Sequence, residues 1–346
     1  MPMTRRRRII RILMILLLFP PLLAGVAGWL VAPSFLHPIR RELTPDLIRE
    51  ADASFAYSGG HREDFNVRAP DGAMLRGWIV RAEHPNGNWV LLFHGVADNR
   101  IGVISQSEFL LRAGYSIVMM DARAHGASEG QIATYGWLER NDTKSVIDSL
   151  TQVRRRRTDL QMQPGYRPPK SLGNFPEQFP YPPPRPTPHI FALGESMGAG
   201  IALQSAAADP RIEAVVAEAS FANLREASFD YAGLRRSPFL GKTLFRPFSW
   251  MLLYHAEKLT DFPIAEVSPE KAVASRAFPV LLICDEKDEA LPCRHTGMIY
   301  AAACGPKQFW EVPGAFHTAA IGFQPAEFQR RVLQFFANVA QVNSVQ

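Results

Sequence analysis

The side chains best placed for chemistry lie in Leu193-Gly194-Glu195-Ser196-Met197-Gly198-Ala199-Gly200, where one serine has a glycine two residues to either side. A serine hydroxyl is a weak nucleophile until a base takes its proton, and that base needs a carboxylate to fix its tautomer. Glycines at those two positions let the chain turn sharply from strand to helix, exposing the hydroxyl where a side chain would strike one element or the other. Acid and base are expected downstream, on later strand ends. Val280-Leu281-Leu282-Ile283-Cys284 runs into Asp285-Glu286-Lys287-Asp288-Glu289, and Phe309-Trp310-Glu311-Val312-Pro313 runs into Gly314-Ala315-Phe316-His317. Asp288 is preferred because it lies beyond the strand turn and before Ala290-Leu291-Pro292, where a helix should start; Asp285 is the competing position. His317 stands in a Gly-containing loop after the last strand, whereas His295 falls at a helix start. Ser196, Asp288 and His317 are thus expected to carry acyl transfer.

Such a reaction places negative charge on a carbonyl oxygen, which two backbone N–H groups must meet. Met197, following the serine, supplies one, with the positive end of a helix dipole behind it. Phe93-His94-Gly95-Val96 ends an earlier apolar strand, and a turn at Gly95 would direct the Val96 amide to the same point. His94 and His125 are expected as hydrogen-bonders near the site, and His94 is also a candidate contact to substrate. Other chemistries find less support. Gly194 to Gly200 lacks the lysine of a phosphate-cradling loop. No His or carboxylate cluster has zinc spacing, and Ser196 at the turn excludes an aspartate nucleophile. Neither metal nor cofactor is expected.

The elements that must position these residues follow a rhythm. Short apolar runs at 89–93, 116–120, 190–193, 214–217, 280–284 and 308–312 are bounded by turn residues and read as strands covered on both faces. Helical patterns near 101–112, 134–150, 198–208, 292–303 and 325–340 alternate with them. This specifies an α/β domain with a mostly parallel, doubly wound sheet. Phe65 to Arg68 and Leu75 to Val80, about the turn Pro70-Asp71-Gly72, add a leading antiparallel hairpin. Two stretches break the rhythm. Residues 152–188 carry Arg154 to Arg157 and then ten of the chain's 28 prolines, so an irregular or polyproline-like surface insertion is expected. Residues 220–275 hold a dense apolar block from Phe239 to Tyr254, which a small helical cap over the sheet edge explains. Within it Phe245, Trp250 and Tyr254 are candidates to line an acyl pocket. The core is expected over 61–219 and 276–342.

Before this domain, Ile12 to Val31 contains no charge and spans about 30 Å if helical, the hydrocarbon thickness of a bilayer. Arg5, Arg6, Arg7, Arg8 and Arg11 sit in the tail 1–11. The positive-inside rule makes this a single-pass signal-anchor with the domain on the non-cytoplasmic side, facing the periplasm from a bacterial inner membrane. A signal peptide cleaved near Gly25-Val26-Ala27 is the alternative. In the connector 32–60, Thr44-Pro45-Asp46 reads as N-cap, first-turn proline and dipole-complementing acid of a short helix. The net charge of +5 is accounted for by the five tail arginines, so the remainder is neutral and nucleic acid is excluded as partner. With 346 residues, 47% hydrophobic, the chain can bury a large core. Three cysteines build neither a disulfide framework nor a zinc knuckle; free packed thiols are expected, with one bridged pair in an oxidising compartment as the alternative.

Phe93-His94-Gly95, Asp121-Ala122-Arg123-Ala124-His125-Gly126-Ala127-Ser128-Glu129-Gly130, Gly194-Glu195-Ser196-Met197-Gly198, Asp288 and Gly314-Ala315-Phe316-His317 together resemble the α/β-hydrolase superfamily over roughly residues 62–340. The likeness is to its serine aminopeptidase-like and dienelactone-hydrolase-like branch, which includes membrane-anchored serine esterases. The sequence departs from that pattern at Ala124, where the family has Gly, and at Cys284-Asp285, where it has His-Gly. The resemblance implies a serine hydrolase that cleaves carboxylic ester or thioester bonds through an acyl-enzyme, its substrate a small-molecule or lipid-like acyl ester. Two other readings stay open. One is an aminopeptidase-like serine peptidase, with Glu218, Glu226 and Asp230 holding a substrate ammonium; the other is a catalytically idle scaffold at the membrane. Nothing in the sequence sets an oligomeric state.

Overall fold

The computed structural model describes residues 5–161, 188–233, 235, 237–260 and 262–344. Eight strands, β1 (Gly60–Arg68), β2 (Met74–Ala82), β3 (Trp89–Phe93), β4 (Ser116–Met120), β5 (Ile190–Glu195), β6 (Ile212–Glu218), β7 (Val280–Asp285) and β8 (Lys307–Val312), form one sheet in the order β1-β2-β4-β3-β5-β6-β7-β8. β1 and β2 are antiparallel to their neighbours and the rest are parallel. The strand order reverses between β3 and β5, which opens a crevice at their carboxyl ends. Phe93 is paired there with Gly194, so the loops leaving β3 and β5 start side by side.

Helices cover both faces because successive residues of each parallel strand point to opposite sides. Val90 and Leu92 of β3, with Leu281 and Ile283 of β7, pack against α2 (Pro45–Tyr57), α3 (Ile104–Arg112) and α12 (Pro325–Ser344). Leu91, Val280 and Leu282 face α4 (Glu139–Gln161), α5 (Met197–Ala208), α9 (Pro269–Ser275) and α10 (Arg294–Ala302). Each fully buried side chain of this size contributes roughly 1.5–3 kcal/mol. α2 starts where its sequence places it: Pro45 opens the helix, and the Thr44 hydroxyl accepts from the Leu47 amide at 3.3 Å.

A third cluster sits above the carboxyl edge of the sheet. It joins α6 (Leu224–Ala232) and α8 (Arg246–Thr260), against which α7 (Pro238–Lys242) packs, to the last turns of α1 (Arg5–Leu36), whose Ala32 and Leu36 are fully buried beside Met197, Phe221 and Ala256. α1 is apolar and long enough to cross a membrane, as the helix of a signal sequence also can be. It carries Pro20, Pro21 and Pro33 within the helix.

Several expectations are corrected. α4 begins at Glu139 instead of 134, because Glu139 accepts from the amides of Thr134 and Gly136 and so caps the turn before it. It then runs through Arg154 to Arg157 as far as Gln161, so this part of the segment 152–188 is helix, the prolines all lying later. Residues 162–187 of that segment lie outside the described residues. α9, grouped with the cap from sequence, packs Val273 against Phe278 and Ile299 on the sheet side. Cys284 and Cys293, expected as free thiols, form a disulfide with Cα atoms 5.3 Å apart, because the loop after β7 folds back over the strand end; Cys304 is free.

Candidate active site

Ser196 ends β5 and caps α5 with φ 52° and ψ −120°, a conformation a non-glycine residue holds only when its surroundings enforce it. The enforcement is close packing: a Cβ on Gly194 would lie 2.5 Å from the Gly198 carbonyl oxygen, and one on Gly198 would lie 2.3 Å from that of Phe93. Glycine at both positions lets β5, α5 and the end of β3 meet and lifts the hydroxyl clear of the sheet.

The structure brings the three expected side chains together. His317 Nε2 lies 2.9 Å from Ser196 Oγ, and His317 Nδ1 lies 2.6 Å from Asp288 Oδ2. Asp288 is fixed by its own loop, since its Oδ1 accepts from the amides of Ala290 and Leu291 at 2.7 and 2.8 Å. The Cys284–Cys293 bridge closes the same loop at its base. Asp285, one turn earlier, does a different job: its Oδ2 accepts from the Thr318 amide at 2.9 Å. Glu218 at the end of β6 accepts from the Ala320 amide at 3.0 Å, so two carboxylates hold the loop that carries His317.

These carboxyls sit in an acidic layer beneath the serine. Burial pushes Glu195 up to about 8 and Asp285 up to about 6, while burial and the charges of Asp285 and Glu195 push Glu218 well above the usual carboxylate range. Glu218 Oε2 and Asp285 Oδ1 are both buried without a partner among the described residues, which favours protonated forms.

Val96 and Met197 line a cavity of about 290 Å³ that opens on Ser196, and neither amide has a hydrogen-bond partner among the described residues. Met197 is the first residue of α5, where helix N–H groups are left free. His94 is buried and turned away. Its Nε2 accepts from the Ala122 amide at 3.0 Å, which obliges Nδ1 to donate to the Gly95 carbonyl at 2.8 Å, so it braces the turn before Val96. The expectation that His94 touches substrate is therefore corrected, as are those for three aromatic residues. Trp250 and Tyr254 face outward on α8, away from the cavity, and Phe245 does not line it. The cavity wall comes instead from Phe248 and Leu252 on the opposite side of α8, from Phe221, Tyr231 and Leu291, and from Tyr135. Val31, Ser34 and Phe35 at the end of α1 complete it, held by hydrogen bonds from Tyr135 Oη to the Phe35 carbonyl at 2.6 Å and from the Ala133 amide to the Leu36 carbonyl at 2.9 Å. Sequence reading missed this α1 contribution, although Gly25, Gly28 and Ala32 form a stripe of small residues at helical spacing, a mark of close helix packing.

Of the three acids proposed for binding a substrate ammonium, Glu218 is buried against the loop that carries His317, and Glu226 and Asp230 are already paired with cationic side chains. Against the upward push of burial, Lys242 and Arg294 hold Glu226 low, and His295 and Arg294 hold Asp230 low. No group of three or more His, Cys, Asp or Glu side chains suited to a metal occurs among the described residues.

The sequence model of the family described as X-Pro dipeptidyl-peptidase (S15 family) matches residues 50–248, a span that includes Ser196 and ends before Asp288 and His317. The uncharacterized protein YqkD of Bacillus subtilis (strain 168) is 24% identical over 327 residues, covering 91% of this chain and 94% of that protein. The α/β-hydrolase domain-containing protein WAV2 of Arabidopsis thaliana is 25% identical over 267 residues, 74% of this chain and 72% of that protein. Among solved structures, an esterase of Pyrococcus furiosus superposes with a TM-score of 0.59 at 22% identity, covering 87% of this chain and 98% of that one. An acylaminoacyl peptidase of Pyrococcus horikoshii gives 0.56 at 14% identity, over 81% of this chain and 41% of that one. These likenesses show the fold.

Proposed function

The chain belongs to the X-Pro dipeptidyl-peptidase (S15) family, within the α/β-hydrolase superfamily; that membership supports a hydrolase, and from the lining of the Ser196 cavity we propose a serine hydrolase of carboxylic esters or thioesters bearing an apolar acyl group. In this reading His317 Nε2 takes the proton of Ser196 as Oγ attacks the acyl carbonyl, and Asp288 stabilises the resulting imidazolium. The tetrahedral oxyanion rests on the Val96 and Met197 amides. Collapse expels the alcohol or thiol, which takes the proton from His317, and leaves an acyl-Ser196 ester. Water, deprotonated by the same histidine, then releases the acid and restores the serine.

What supports the choice of substrate is the wall of the Ser196 cavity, where no lining residue among the described residues is charged. A peptidase that removes residues from an amino terminus must hold an ammonium group, and Glu226 and Asp230 are occupied by cations of the chain itself. We also place α1 across a membrane with the hydrolase on the non-cytoplasmic side. Its arginine block and charge-free run support that orientation, and the Cys284–Cys293 bridge suits an oxidising compartment.

Labelling of the intact protein by a fluorophosphonate probe, together with hydrolysis of p-nitrophenyl hexanoate and of Gly-Pro-p-nitroanilide, tests the reading. Ser196→Ala should abolish labelling and lower ester turnover by about 10⁴-fold or more. The ester should exceed the dipeptide in kcat/KM by at least about a hundredfold; the reverse order would make the protein a peptidase.

A further inference from the structure

α1 and α8 lie side by side and run the same way. Gly25 meets Pro247 and Met251, a Cβ on Gly28 would come within 2.1 Å of the Phe248 carbonyl oxygen, and Trp29 stacks on His255 at 3.6 Å between ring centroids. His255 Nδ1 donates to the Trp29 carbonyl at 2.8 Å. With the bilayer-length stretch Ile12 to Val31 across the membrane, Gly25 lies about 9 Å inside its far end at 1.5 Å per residue. Any membrane that holds α1 therefore also meets the beginning of α8, which is level with Gly25.

The side chains at that level suit such a setting. Trp250 and Phe239 are each 71% exposed, and Leu240, Leu244 and Tyr254 join them on the outside of α7 and α8. Further along α8, beside and beyond Trp29, the exposed positions are Glu257, Lys258 and Leu259. Lys242 and Arg246 are exposed where α7 ends and α8 begins, and Trp250 and Tyr254 follow before the charged end of α8, so this face carries apolar and aromatic side chains among long cations, as on a helix lying at the interface between acyl chains and water. Between the two helices runs an outward-facing groove of about 480 Å³, lined by Leu22, Val26, Trp29, Pro247, Trp250 and Met251. Phe248 and Leu252 of α8, with Val31 and Phe35 of α1, form the wall of the Ser196 cavity. The same helix pair thus separates the groove from the nucleophile.

We propose that the exposed face of α7 and α8 is seated in the leaflet that holds the end of α1, and that acyl chains of membrane-resident esters enter the Ser196 cavity through the α1–α8 wall. This rests on the serine-hydrolase reading and adds the source of the substrate. The end of α1 is then part of the acyl site as well as an anchor.

The test uses the full-length protein in phosphatidylcholine vesicles with two substrates, p-nitrophenyl palmitate dissolved in the bilayer and p-nitrophenyl acetate in water. The double variant Leu240→Glu/Trp250→Glu alters only exposed side chains outside the cavity. Its kcat/KM for the palmitate should fall at least tenfold while that for the acetate stays within twofold. In parallel, tryptophan emission should be quenched by lipids brominated near the middle of their chains, and Trp250→Phe should remove part of that quenching. Unchanged palmitate hydrolysis, a parallel loss on both substrates, or quenching identical in Trp250→Phe would each overturn the proposal. Wild-type protein inactive on acetate, with the Trp250-dependent quenching present, would instead sink the hydrolase reading and leave the membrane seat standing.

Discussion

Asp285 and Asp288 stand on one loop after β7, and their carboxylates face different partners: Asp288 reaches His317, whereas Asp285 holds the Thr318 amide. Asp288→Asn should therefore lower kcat by roughly 10³- to 10⁴-fold, since an amide favours the wrong imidazole tautomer. Asp285→Asn keeps an acceptor for Thr318 and should lose far less; steady-state kinetics on p-nitrophenyl hexanoate compares the two, and a larger loss from Asp285→Asn would move the acid. Sequence could not separate them cleanly, because four acids crowd Asp285 to Glu289. The turn that donates the Asp288 amide to the Asp285 carbonyl aims the later one at the histidine. The serine was legible because only a strained turn needs glycine at both flanking positions. Glu195 offers a second prediction. Its carboxyl is raised by burial to about 8, so between roughly pH 4.5 and 8 the unfolded chain loses a proton that the folded chain keeps, and stability falls as pH rises through that window. Glu195→Gln removes this slope while retaining an oxygen for Gln106, so its Tm relative to wild type should climb from pH 5 to pH 8. A difference in Tm that does not change with pH would place the titration elsewhere.

At the scale of elements, the strands from β2 on were read within a residue or two because continuous apolar runs bounded by turns leave few alternatives, whereas β1 starts at Gly60, five residues before the expected Phe65, because Gly60 to Asp64 is polar and pairs only at the sheet edge. The cap was legible as a greasy block, but not which side of α8 faces the serine: Phe248 and Leu252 point in and Trp250 and Tyr254 point out, a choice made by α1 packing alongside. An isolated stretch of sequence holds no record of such a neighbour. The disulfide was likewise hidden, since spacing alone does not bring Cys284 and Cys293 together. Replacing both with alanine should lower stability by roughly 2–3 kcal/mol on a chain-entropy account of so short a loop. Activity should fall further than stability predicts, because the loop presents Asp288. Chemical denaturation and kcat measured on the same preparation would check this, and full activity in the double variant would show that the turns alone position the acid.

For the whole molecule, the arginine block, the charge-free helix and the cap's exposed face together predict that alkaline carbonate and high salt leave the protein in the membrane fraction, whereas detergent releases it. Protease added outside spheroplasts of a bacterial host should reach the domain. A soluble product beginning near Gly28 would establish cleavage instead, and would leave Val31, Ser34 and Phe35 in the cavity wall. The bridge between Cys284 and Cys293 bears on when the molecule can act. A chain newly made in a reducing cytoplasm has thiols at both positions, a looser seat for Asp288, and a first helix not yet lodged beside α8. On the proposed topology, competence to cleave esters is then acquired late, after export and oxidation, and the cell that synthesises the hydrolase is shielded from it by the order of maturation, with no inhibitor required.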